Sequence, residues 1–185
     1  MAEQSLKELK ARLLVLLKKQ AFKRGQFILS SGKSSDYYLD ARIVTLSSEG
    51  AYLVGSIILE LIKDKGITAI GGPTIGADPI VGAVMALGHL PNLTLKGFIV
   101  RKNAKAHGSK RQVEGPALSP GEKALLVDDV ATTGKALLEA KQALDKTGVK
   151  IGAVLVIVDR LEGAASNLEK EGLKLDALFT IADFR

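Results

Sequence analysis

Two adjacent carboxylates, Asp128 and Asp129, end the apolar run in ALLVDDVATTGKAL, residues 124–137. Small, hydroxylated and glycine residues follow, and then a helical pattern starts. In such a turn successive backbone N–H groups can point inward, and the dipole of the next helix adds to their field. Thr132 and Thr133 bring hydroxyl donors, and Gly134 permits close backbone approach. These are the parts of a phosphate cradle. The acids at its lip would repel phosphate, but they suit hydroxyl groups or a hydrated cation beside it. A phosphorylated sugar meets both demands, with phosphate in the nest and diol on the acids. The plainer alternative is a strand-to-helix turn with Asp and Thr caps, because short motifs also occur without function. Nucleotide hydrolysis has less support: Gly134-Lys135 is followed by Ala136, and neither G-x-x-x-x-G-K-[ST] nor G-x-G-x-x-G is present.

A second group is cationic. Arg101, Lys102, Lys105 and His107 lie within RKNAKAHGSKR, residues 101–111, which hold five Lys/Arg and no acid. A charge run is usually a solvated loop. Long loops in compact domains, however, are usually functional or disordered. A cationic lid over a phosphate-binding rim would stabilise the charge that builds on a departing polyphosphate. GGPTIGADP offers a further glycine turn before a helix, a possible anion contact or simply a turn. Arg160, closing IVDR, can form a bidentate pair with a substrate carboxylate or an ordinary surface ion pair. His89, near a helix end, reads as structural, and Tyr37 and Tyr38 read as packing for the N-terminal region.

The elements that must position these groups follow from the hydrophobic pattern. Ser5-Leu-Lys-Glu8 fits a capping box before leucines at helical spacing, which predicts a first helix ending near Gln20. FILS and DYYLDA predict a hairpin. Ser47 and Ser48 cap a second helix closed by Gly66. ITAIGG, LKGFIV, KALLVD, IGAVLVIVD and LDALFTIAD then read as five apolar strands, mostly separated by helices, including one that opens on Pro79. That alternation predicts an α/β protein with a parallel five-stranded sheet flanked by helices. Residues 1–45 form a small N-terminal subdomain of a single 185-residue domain. Ligands of such sheets bind outside the carboxyl ends of the strands, so GGPTIGADP, the basic loop, DDVATTG and DRLEG should converge on one rim.

Composition narrows the classes. There is no cysteine, which excludes disulfides and thiolate chemistry. The net charge is +6, and without the five basic residues of 101–111 it is +1. Nucleic-acid binding is therefore not expected, since the charge is local and aromatics make up only 4 % of the chain. The apolar run at residues 13–17 is too short for a signal peptide or a membrane span. A soluble cytoplasmic protein is the expectation.

LLVDDVATTG resembles the signature for phosphoribosyl pyrophosphate (PRPP) of the type I phosphoribosyltransferases. KRGQFILSSGKSSDYYLDAR, VRKNAKAHGSKRQVEG and the Arg in VIVDR make the chain most similar to the orotate-specific members. The resemblance implies a core sheet with an N-terminal hood, drawn mostly from residues 1–45. It implies a homodimer whose 101–114 loop is shared between subunits. It also implies Mg²⁺-dependent transfer of ribose 5-phosphate from PRPP to orotate, giving orotidine 5'-monophosphate and pyrophosphate, a step of pyrimidine synthesis. Asp128 and Asp129 would hold the ribose hydroxyls, with Mg²⁺ bound mainly by PRPP and water near them and by no direct protein ligand. Val130, Ala131, Thr132, Thr133, Gly134, Lys135 and Ala136 would hold the 5-phosphate. Arg101, Lys102, Lys105 and His107 would hold pyrophosphate, with Lys105, His107 and Asp129 catalytic and Lys105 carrying the largest effect. Lys23, Thr132 and Arg160 would contact orotate, Arg160 through its carboxylate. Some relatives have an aromatic–lysine pair where this chain has Ile75 and Gly76, so one pyrophosphate cation is missing. Two other readings stay open: a transferase for another base, and a non-catalytic PRPP-sensing regulator.

Overall fold

In the computed structural model the described residues are 4–28, 32, 34–90, 93–102 and 111–185. The chain opens with α1 (Leu6–Gln20). Its start is the predicted capping box: the Ser5 side chain accepts from the Glu8 N–H, and the Glu8 carboxylate accepts from the Ser5 N–H at 2.8 Å. A hairpin of β1 (Phe22–Ile28) and β2 (Ser34–Leu39) follows, antiparallel and separate from the main sheet. A short helix, α2 (Arg42–Thr45), was not legible from the sequence pattern. Next comes α3 (Ser48–Ile62), with Ser47 accepting from the Gly50 N–H at 3.1 Å. This helix stops at Ile62, before Gly66, because Lys63 leaves the helical region at φ −49 and ψ 131; Asp64 then turns left-handed at φ 63, a conformation Asp tolerates better than most residues.

The core then alternates as predicted: β3 (Ala69–Pro73), α4 (Ala77–Gly88), β4 (Lys96–Val100), β5 (Val113–Glu114), β6 (Lys123–Ala131), α5 (Lys135–Asp145), β7 (Lys150–Asp159), α6 (Ala164–Glu169) and β8 (Leu175–Thr180). Pro79 lies in the first turn of α4, where its missing N–H costs no hydrogen bond. The last strand ends at Thr180, not Asp183. Asp183 accepts from the Thr180 N–H at 2.7 Å and folds Ile181–Phe184 into a 3₁₀ turn.

The five predicted strands are all parallel, in the order β4-β3-β6-β7-β8. Among the described residues the sheet has a sixth member, β5, antiparallel on the edge beside β4. Two residues carry no periodicity, so only pairing reveals such a strand. The helices cover both faces. Leucines of α1 pack with α3, α4, Leu125 and Val127 in one cluster, and α5 packs with Leu126, Val154 and Val156 in the other. The N-terminal helix therefore shares its core with the sheet. Among the described residues no helix is long and apolar enough to cross a membrane.

Candidate active site

Strand order places the site. After β3 the chain leaves by α4 on one face, and after β6 it leaves by α5 on the other. The gap between β3 and β6 is thus the topological switch point, where α/β sheets bind ligands. The gap is real. Pairing of β3 with β6 ends at Gly71 opposite Leu126, whereas β6 continues to Ala131 alongside β7. Asp128 and Asp129 project from that unpaired stretch. They are deeply placed, Asp128 only 9 % exposed.

Each acid is tied to the backbone that follows. The Asp129 N–H donates to Asp128 Oδ1 at 2.9 Å, and the Val130 N–H donates to Asp129 Oδ1 at 2.8 Å. Burial pushes the Asp128 carboxyl well above the usual carboxylate range, and the charge of Asp129 pushes it the same way. Burial also raises Asp129, but the Val130 N–H, the hydrogen bond from Asp128 and the charge of Arg42 oppose it. The two acids titrate as a pair, with Asp128 the more readily protonated. Arg42 reaches this area from α2 while paired with Asp40 at 2.8 Å, which holds Asp40 below the usual range.

The 74–77 turn closes the opposite wall. A Cβ added at Gly76 would collide with Oδ1 of both Asp128 and Asp129, so any larger residue there must displace the acids or the turn. Asp78, at the start of α4, accepts from the Thr74 hydroxyl at 2.6 Å, and its other oxygen is buried with no hydrogen-bond partner among the described residues. The charge of Asp78 also raises Asp128. Asp78 was not among the residues expected at the site, although an acid two residues before the apolar face of Ile80, Val81 and Val84 was a visible cue.

Beyond β6, Gly134 adopts φ 76 and α5 starts without a side-chain cap. Its first N–H groups are thereby left for an anion. Asn167 donates to the Thr133 carbonyl at 3.0 Å and steadies the turn from α6. A cavity of about 280 Å³ brings Arg101, Lys102 and Lys135 together beside Thr74 and Ala136. Arg160 stands one strand away: its N–H donates to the Ala131 carbonyl at 2.9 Å. Its side chain is only 11 % exposed and meets Tyr37 of the hairpin at 2.9 Å. Lys23 is exposed on the hairpin, opposite Tyr38. Lys105 and His107 lie outside the described residues. Among the described residues, no group of three or more His, Cys, Asp or Glu is arranged to hold a metal ion by itself.

A doubly wound sheet with an acid pair at its switch point, beside an uncapped helix and a cluster of cations, has the parts to hold a phosphorylated sugar. The family model for the phosphoribosyl transferase domain matches residues 40–181, and the chain belongs to that family. Orotate phosphoribosyltransferase of Rhodopirellula baltica is 44 % identical over 180 residues, covering 94 % of this chain and 93 % of the relative. A solved structure of orotate phosphoribosyltransferase from Mycobacterium tuberculosis H37Rv, in complex with Fe(III) dicitrate, aligns with TM-score 0.82 at 38 % identity, covering 95 % of this chain and 98 % of that one. A second from the same organism, in complex with PRPP, aligns with TM-score 0.79 at 34 % identity and the same coverage.

Proposed function

We propose that this phosphoribosyltransferase moves ribose 5-phosphate from PRPP to orotate, releasing pyrophosphate and orotidine 5'-monophosphate, in pyrimidine synthesis in the cytoplasm. The observation that carries the reading is the placement of Arg160, a cation for a carboxylated base, one strand from the buried acid pair and phosphate turn.

In this reading the amides of Val130 to Ala136, the Thr132 and Thr133 hydroxyls and the α5 N-terminus hold the 5-phosphate. Asp128 and Asp129 accept hydrogen bonds from the ribose diol. Arg101 and Lys102, joined by Lys105 and His107, surround the pyrophosphate. Arg160 takes the orotate carboxylate, with Thr132 and Lys23 as further contacts. The C1'–O bond to pyrophosphate breaks as the deprotonated ring nitrogen of orotate approaches C1', so positive charge grows on ribose and negative charge on the leaving group. Preorganised cations on that leaving group lower the barrier, each donor contributing on the order of 10²-fold in rate. The orphaned Asp78 oxygen beside the acid pair fits the water shell of a Mg²⁺ ion, which usually keeps several waters and binds substrate phosphates. Bound there, Mg²⁺ would neutralise charge on pyrophosphate. The functional unit is a homodimer with the 101–114 loop reaching the neighbour's rim, and residues 1–45 supply most of the hood over the site.

Incubation of protein, PRPP and Mg²⁺ with orotate, uracil or a purine, following pyrophosphate release, tests the assignment. Release with orotate is expected. Release with a purine but not with orotate would overturn it.

A further inference from the structure

Arg160 is held by more than its position on the chain. Its Nε donates to the Tyr37 hydroxyl at 2.9 Å, and its Nη2 pairs with Glu162 Oε1 at 2.9 Å. The guanidinium also lies over the Tyr37 ring, 4.9 Å from the centroid. Tyr37 is itself fixed. It is 6 % exposed and stacks on Phe22 at 5.7 Å, and Phe22 in turn packs against Phe184 at 5.4 Å. The hydroxyl thus arrives at Arg160 from a hairpin more than a hundred residues earlier in the chain, on a ring buried against Phe22.

A guanidinium has two flat edges that can each give a carboxylate two parallel hydrogen bonds. Here the edge made by Nε and Nη2 is already used by Tyr37 and Glu162. The edge made by Nη1 and the second N–H of Nη2 is the one left for a ligand. We propose that Tyr37 is a positioning residue for base recognition: with Glu162 it locks Arg160 so that this second edge faces the substrate carboxylate. The inference rests on the reading that Arg160 meets orotate, and it adds which residue sets the recognition geometry. A lost hydrogen bond to a charged group is worth more than one between neutral partners, so the effect should be measurable.

The test uses the full chain in steady-state assays with orotate and PRPP varied separately. Tyr37→Phe keeps the ring and its stacking and removes only the hydroxyl, which accepts from Arg160 and donates to Glu162 Oε1 at 3.5 Å. It should raise KM for orotate about tenfold while KM for PRPP stays unchanged. If both KM values rise together, Tyr37 is merely structural and the inference is overturned. Arg160→Ala, measured in parallel, separates the two levels. An unchanged KM for orotate in Arg160→Ala sinks the Arg160 reading itself. A raised value there with no change in Tyr37→Phe sinks only the positioning role. Should Tyr37→Phe fail to fold, Glu162→Gln carries the test. It should raise KM for orotate about threefold, since a neutral acceptor replaces a charged one, and no change would overturn the proposal.

Discussion

Asp128 and Asp129, the proposed diol ligands, illustrate how a buried acid works against the fold that holds it. A carboxyl whose pKa is raised by folding lends stability below its unfolded value, and loses that contribution as pH climbs through the folded value. For Asp128 the ordinary value is 3.8 and the folded value lies well above it, burial being the main cause. The pair therefore destabilises the empty protein at neutral pH. Asp128→Asn keeps an oxygen to accept from the Asp129 N–H and removes the charge. Calorimetry should show its melting temperature about 2–4 °C above the parent at pH 7.5 for each kcal/mol released, with the gap closing as pH approaches 4. Turnover should fall by on the order of 10²-fold. A variant less stable than the parent at pH 7.5 would refute this account of the pair.

At the scale of elements, the turn between β3 and α4 is shaped by what it touches. The acid carboxylates lie directly against Gly76, which brings no side chain to this wall. Gly76→Ala must displace either the turn or the acids. Overpacking of this kind costs about 1–3 kcal/mol, and KM for PRPP should rise about tenfold or more. Parent-like values for both stability and KM would mean that the turn yields without consequence. The Thr74–Asp78 hydrogen bond, 2.6 Å, ties the same turn to the first turn of α4 and limits where it can go.

For the whole molecule, the proposed sharing of the 101–114 loop makes a test that no single chain can pass. Lys105→Ala should cripple the loop, and Arg160→Ala the base contact, each alone leaving little activity. Random mixing of the two variants should restore about one quarter of parent activity, since half the dimers would be mixed and each would own one intact site. No recovery, with dimers verified by sedimentation, would overturn the sharing. Much of this molecule could be read without coordinates. Capping residues, apolar periodicity and the LLVDDVATTG run act over a few neighbours, so the sequence by itself determined α1, the five parallel strands, and the acid pair followed by a glycine turn into a helix. The edge strand β5, the early stop of α3 and the 3₁₀ ending after Thr180 depend on two or three residues and on pairing, below what periodicity can detect. Tertiary structure alone decided that β3 and β6 part beyond Gly71, that Gly76 seals the acids, that Asp78 turns a bare oxygen inward, and that Tyr37 grips Arg160. Those contacts join residues far apart in the chain, and no local preference encodes a partner that only the closed fold brings within reach.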